Sequence, residues 1–167
     1  GGYSILLTTK KATDSYASMI TYQPVLEAMG VGVSVAWRGV TGLKYFKVEI
    51  ARHGPTTALF GAFRYVYAGG LVQYRSGSTA FTTIGDPVAL YPVTTPWHVM
   101  KLVVNFDTGK YVRLLVDQYG YSLADIALYS TGAVTYNSIT LAVTAYGDDN
   151  DVYTAYVDDV IITQNEM

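Results

Sequence analysis

The chain has 167 residues, of which 50% are hydrophobic and only 14% charged, with a formal net charge of −2. That length suits one domain with ample material for a core, and the scattered basic residues form no electrostatic footprint for nucleic acid. No apolar run approaches the ~18–20 residues of a membrane-spanning helix, and the lack of cysteine excludes a disulfide framework and a thiolate metal site.

Thr, Ser, Tyr and Gly stand where charges are missing. Sixteen tyrosines are a large excess, and Tyr favours pleated, half-buried surfaces. The opening Gly1-Gly2-Tyr3 carries no Met and no basic or apolar leader segment, and a strand-like run begins at once. The expectation is a single sandwich domain over 1–167 that lacks an upstream N-terminal piece.

Period-2 stretches bounded by turn residues then recur along the chain. Strands are expected at Tyr3–Thr8, at Ala17–Gln23 before Pro24, and at Val31–Arg38. Leu43–Arg52 alternates cleanly, with Phe46, Val48 and Ile50 on one face and Lys47 and Glu49 on the other. Thr57–Tyr67 ends at Gly69-Gly70, a hairpin signal, and Leu71–Arg75 is its expected partner. Ser76–Pro96 reads mostly as loop, with a short strand near Phe81. Trp97–Asn105 and Tyr111–Val116 flank Phe106-Asp107-Thr108-Gly109-Lys110, where Gly109 suits a left-handed position. Ser138–Tyr146 and Tyr153–Thr163 close the chain. Only Gln23–Met29 and Ser122–Leu128 have room for a helical turn. About ten short strands without a helix-period segment point to an all-β, two-sheet antiparallel sandwich.

Two parts of the chain resemble a known family. Trp97-His98-Val99-Met100-Lys101-Leu102, Phe106-Asp107-Thr108-Gly109-Lys110-Tyr111, Leu115-Val116-Asp117 and the closing Tyr156-Val157-Asp158-Asp159-Val160-Ile161-Ile162 resemble the C-terminal half of concanavalin A-like lectin/glucanase (laminin G-like) sandwiches. Gly1-Gly2-Tyr3-Ser4-Ile5-Leu6-Leu7 resembles the early strand of carbohydrate-binding jelly rolls. The resemblance implies a jelly-roll fold. It also implies membership in a group that includes sugar-binding modules, glycosidases, adhesion domains and virion proteins, among which fold does not choose.

Glycoside hydrolysis needs two facing carboxyl groups, and the glucanase branch carries them at alternate positions of one strand. Glu27, Glu49 and Glu166 are the only glutamates, and each is isolated from another acid two residues on. Asp158 and Asp159 are adjacent, which in a regular strand sends them to opposite faces. His53 and His98 have no acidic or Cys partner at a recognisable spacing, so solvated or hydrogen-bonded structural roles are expected. No enzyme activity is expected.

The cluster Asp148-Asp149-Asn150-Asp151 offers hard oxygen ligands for a structural calcium ion, and competes with a plain solvated hairpin turn. No other cofactor is expected. For carbohydrate, the rings to consider are Tyr65, Tyr67 and Tyr74, which flank the Gly69-Gly70 hairpin beside Arg64, Gln73 and Arg75. Sugars stack C–H faces on rings while polar neighbours orient the hydroxyls. Trp37 and Trp97 sit in apolar strands and read as core. The leading expectation is a non-catalytic module binding a glycan or a protein surface in an extracellular, cell-surface or virion setting. Next comes a self-assembling or decoration protein, since Tyr-rich, charge-poor patches suit interfaces between copies. A glycoside hydrolase comes third.

Overall fold

Alternation of apolar and polar residues sets which side of each strand is buried, and two sheets result. The computed structural model describes residues 4–10, 15–24, 30–39, 42–90, 96–132, 137–147 and 151–166. In chain order its strands are β1 (Ile5–Thr8), β2 (Tyr16–Gln23), β3 (Gly30–Gly39), β4 (Leu43–His53), β5 (Thr57–Val66), β6 (Leu71–Arg75) and β7 (Phe81–Thr83). Then follow β8 (His98–Asn105), β9 (Lys110–Val116), β10 (Tyr119–Ser122), β11 (Tyr129–Gly132), β12 (Ser138–Gly147) and β13 (Thr154–Gln164). There is no helix among the described residues.

One sheet runs β1-β13-β3-β8-β9-β10; the other runs β2-β12-β4-β5-β6-β7, with β11 also paired to β5. All pairings are antiparallel. The core fills the space between. From the first sheet it takes Val33, Val35, Trp37, Met100, Leu102 and Leu114; from the second, Phe46, Val48, Ile50, Phe63, Leu141 and Val143. Trp37 and Phe46 bridge the two layers as stacked rings, 4.7 Å apart and 12° from parallel. Such inter-sheet interdigitation is the basis of sandwich stability.

The strands expected from alternation lie where the sequence placed them, to within a few residues at their ends. Three differences have physical causes. Strands β10 and β11 were not expected, because Tyr119–Ser122 and Tyr129–Gly132 are short and carry no apolar alternation; they form by adding to the edges of β9 and β5. Ser122 ends β10, and the segment after it turns without forming a helix; residues 25–29 lie outside the described residues. In β13 the register slips between Asp158 and Ile161, and Asp159 adopts a φ of 46°, so a bulge interrupts the strict alternation expected there.

Trp97 is a correction. It lies just before β8, whose inward positions are His98, Met100, Leu102 and Val104, so alternation turns Trp97 outward and leaves it 42% exposed. Trp37 is fully buried, as expected. The expected left-handed glycine is present: Gly109 in the β8–β9 turn has a φ of 64°, and Gly69 and Gly70 in the β5–β6 turn also have positive φ, of 84° and 63°. At Gly70 an added Cβ would also stand 2.5 Å from the Val88 carbonyl oxygen, so only glycine fits there.

Candidate functional site

The outer face of the second sheet is built by the residues that alternate with the core. Register carries one row from Thr144 through Lys47 and Arg64 to Gln73 and Thr83. The next row down the strands runs Tyr16, Tyr146, Tyr45. On the other side lie Ile20, Ala142, Glu49 and Ala62. Tyr16, Tyr45, Lys47, Glu49 and Tyr146 line a shallow depression of about 330 Å³ on this face.

Aromatic rings and guanidinium groups are stacked across it. Tyr16 lies parallel to Tyr146 at 6.3 Å, and Tyr146 lies against Tyr45 at 4.5 Å. The Arg64 guanidinium then sits between the rings of Tyr45, at 4.7 Å, and Phe81, at 4.2 Å. The run therefore crosses from β2 to β7. A second arginine repeats the arrangement: Arg75 lies over Phe60 at 4.9 Å and Tyr129 at 4.8 Å. Cation–π contact of this kind orients guanidinium groups and strengthens as water is excluded.

Polar links hold the same groups. Arg64 Nε donates to Gln73 Oε1 at 2.8 Å, and Gln73 Nε2 donates to Thr83 Oγ1 at 3.0 Å. Glu49 Oε2 accepts from Arg75 at 2.9 Å and from Lys47 at 3.4 Å. Burial, with the nearby Tyr146, pushes the Tyr45 hydroxyl above its usual value despite Arg64, so it stays protonated at neutral pH. Glu49 is the only acidic residue in the strands of this sheet. A carboxylate pair of the kind glycoside hydrolysis uses is therefore absent from these strands.

The structure divides the six residues singled out for carbohydrate. Arg64, Gln73 and Arg75 lie on the outer face. The tyrosines do not join them, and the ring platform expected of them is corrected. Tyr65 pairs in register with core Val72, and Tyr74 with core Phe63, so both point inward. Tyr65 is almost wholly buried and donates its hydroxyl proton to the Val88 carbonyl at 3.0 Å. Tyr67 does share Tyr65's side, as alternation implies, and meets it edge-on at 5.2 Å. Desolvation drives the Tyr67 hydroxyl far above its usual value. Tyr74 packs edge-on against Tyr111.

Among the residues considered for calcium, Asp148, Asp149 and Asn150 lie outside the described residues. Asp151 is described and has a partner. Among the described residues no three His, Cys, Asp or Glu side chains come together in a way that would hold a metal ion. His53 ends β4, within hydrogen-bond reach of Thr140 Oγ1 at 3.1 Å. His98 does have an acidic partner: its Nδ1 lies 2.7 Å from Asp117 Oδ2. The pairing of β8 with β9, not sequence spacing, brings these two together.

Sequence reasoning missed Tyr16, Tyr45, Tyr146, Phe60, Phe81 and Tyr129. Tyr45 was within reach, since alternation puts it on the face of Lys47 and Glu49. Tyr16 and Tyr146 become neighbours only through the long-range register of β12 with β2 and β4, Tyr129 meets Phe60 only through that of β11 with β5, and Phe81 is placed by the local pairing of β6 with β7.

No protein-family model and no curated protein matches the sequence. Solved structures do match the fold. An endo-β-1,4-glucuronan lyase from the fungus Trichoderma reesei superposes with a TM-score of 0.65 at 10% identity, over 98% of this chain and 82% of that one. A Bacillus licheniformis β-glucanase gives 0.56 at 10% identity, over 96% and 78%. The carbohydrate recognition domain of Emp46p, in its potassium-bound form, gives 0.51 at 10% identity, over 95% and 89%. The fold is thus a two-sheet antiparallel jelly roll, like those of these structures.

Proposed function

We propose that this protein is a non-catalytic jelly-roll module of the extracellular environment that holds a glycan across the outer face of its seven-stranded sheet. The observation that carries this reading is the run Tyr16–Tyr146–Tyr45–Arg64–Phe81 across that face. Tyr16, 65% exposed, ends the run with an open ring face for sugar C–H groups. The inner rings are stacked on one another and therefore offer hydroxyl edges, not faces. Lys47, Arg64 and Gln73, in the adjoining row, supply donors fixed by their own partners, which lowers the entropic cost of binding. The commitment of Glu49 to two cations, with no second acid in the strands of the sheet, supports binding without hydrolysis. The glycan-directed names among the structural neighbours agree with a sugar ligand.

The test is a glycan array followed by calorimetry with β-glucan, glucuronan and alginate. At least one polysaccharide should bind, and Tyr45→Ala or Arg64→Ala should each weaken it about tenfold or more without altering the near-ultraviolet circular dichroism of the core. Binding of no polysaccharide, or binding indifferent to both substitutions, overturns the reading. Release of new reducing ends or of unsaturated uronates from a bound polymer overturns its non-catalytic part.

A further inference from the structure

A different region, at the end of the sandwich where Trp37 lies, carries a second inference. Three buried polar atoms there have no hydrogen-bond partner among the described residues: Trp37 Nε1, Tyr67 Oη and His98 Nε2. They belong to one cluster, for Tyr67 meets the Trp37 ring edge-on at 5.8 Å and His98 lies 5.1 Å from it. Buried polar groups in folded proteins are nearly always paired, so three such atoms around one ring call for a partner.

Two adjoining openings border the cluster, one at His98 and the other at Tyr67, with Trp37 behind them. A cleft of about 270 Å³ is lined by His98, Trp97, Asp117 and Tyr119; another of about 510 Å³ is lined by Tyr67 and Tyr65, and Ala89 and Leu90 border both. Trp97 and Tyr119 are 42% and 38% exposed. The Arg38 guanidinium sits 5.6 Å from the centre of the Trp97 ring.

The chemistry of the cluster selects the ligand class. Asp117 is anchored in the turn between β9 and β10: its Oδ1 accepts from the Val99 N–H at 2.8 Å while its Oδ2 faces His98 Nδ1. The carboxylate keeps the proton on Nδ1, so in the neutral ring Nε2 is an acceptor. The Tyr67 O–H is a donor. One acceptor and one donor at the openings, within aromatic walls, match a neutral molecule whose groups both donate and accept and whose ring faces are apolar. An anion would meet the Asp117 carboxylate, and Arg38 already holds the cation position over Trp97.

We infer that this strand-end cleft is a second binding site, for a single neutral hydroxylated ring such as one sugar residue, and that it works independently of the outer sheet face. Trp97 provides the stacking surface and His98 the buried acceptor, with Asp117 as the positioning residue that fixes the imidazole.

The experiment is a two-dimensional 15N–1H NMR titration of the intact chain with methyl glucoside, methyl mannoside and methyl galactoside. At least one should give saturable shifts of the Trp37 and Trp97 indole N–H signals and of the Val99 amide. Trp97→Ala, and separately Tyr119→Ala, should weaken that binding about tenfold, whereas Arg64→Ala on the outer face should leave it unchanged. Linear or absent shifts with all three sugars would mean that only water answers the buried atoms, and would overturn the inference. So would saturable shifts that survive both cleft substitutions. Loss of the signal in Arg64→Ala would overturn the independence of the two sites.

Discussion

At the scale of single residues, Tyr111 illustrates how one hydroxyl shapes a sheet. Its ring is fully buried between the layers and its Oη accepts from the Ala62 N–H at 3.1 Å, with the Arg75 carbonyl at 2.9 Å and the Ala62 carbonyl at 3.2 Å within reach of its proton. Burial pushes its pKa up to about 12, so it remains a donor. Ala62 and Arg75 stand where the β5–β6 ladder would continue, and the tyrosine satisfies them instead. Tyr111→Phe should therefore destabilise the fold by about 1–3 kcal/mol, the cost of leaving buried backbone groups unmet. Denaturant midpoints would measure it, and amide exchange at Ala62 should quicken. Close approach is equally specific at Gly39, where an added Cβ would fall 2.1 Å from the Tyr67 hydroxyl. Residues of this kind were poorly legible in the sequence. The burial of Trp37 followed from its apolar strand, but Trp97, in a stretch equally apolar to the eye, faces out because the strand phase is set by His98, a polar residue that reads as exposed.

At the scale of elements, the second sheet has an edge that is open in the described structure. Strand β2 pairs only with β12 and presents Tyr16, Ile20 and Tyr22 to solvent without a single charge along its length. Long uncharged edges template pairing with other chains. Ile20→Lys should reduce concentration-dependent self-association, measured by light scattering, while leaving the melting temperature nearly unchanged. Elements were the most legible level. The Leu43–Arg52 and Thr57–Tyr67 runs announced both their existence and their buried faces, because one side of each meets the core. The candidate site was half legible for the same reason. Alternation places Arg64, Gln73 and Arg75 on one side and Tyr65 and Tyr74 on the other, and the hairpin that joins them in sequence divides them in space. The tyrosines that do line the outer face come from strands far apart in the chain, and no local pattern announces that register.

At the scale of the whole molecule, charge is sparse, so a few titrating groups govern acid stability. Burial lowers the His53 pKa below its ordinary 6.5, with Glu49 opposing in part. The stability it contributes is present above that value and declines as pH falls through the folded-state pKa. Burial raises the Glu166 carboxyl, but hydrogen bonds from Lys101, Thr163 and Arg113 and the Lys101 charge outweigh it and hold the group below its ordinary 4.5. Its contribution is full above that value and is lost as pH drops through the lower, folded-state pKa. Melting temperature should thus be level near neutrality, fall in a first step below about 6.5 that His53→Gln removes, and fall again below about 4.5 in a step that Glu166→Gln removes. The second step also loosens a tie between layers of sequence, since Glu166 joins the end of the chain to Lys101 at 2.5 Å and to Arg113 at 3.2 Å.

The pairing of β1 with β13 and of β2 with β12 has a consequence in time. During synthesis the first two strands emerge long before their partners exist. The middle of the molecule, where β4, β5 and β6 follow one another as hairpins, can assemble while those early strands wait unpaired. Closure of the sandwich is therefore the last event and the slowest, because long loops must be ordered before the contacts that reward them form. Until then Leu7 and Met19, which the folded sandwich packs against its core, stand exposed on unpartnered strands, and a cell making this protein quickly would have most need of a chaperone in that interval.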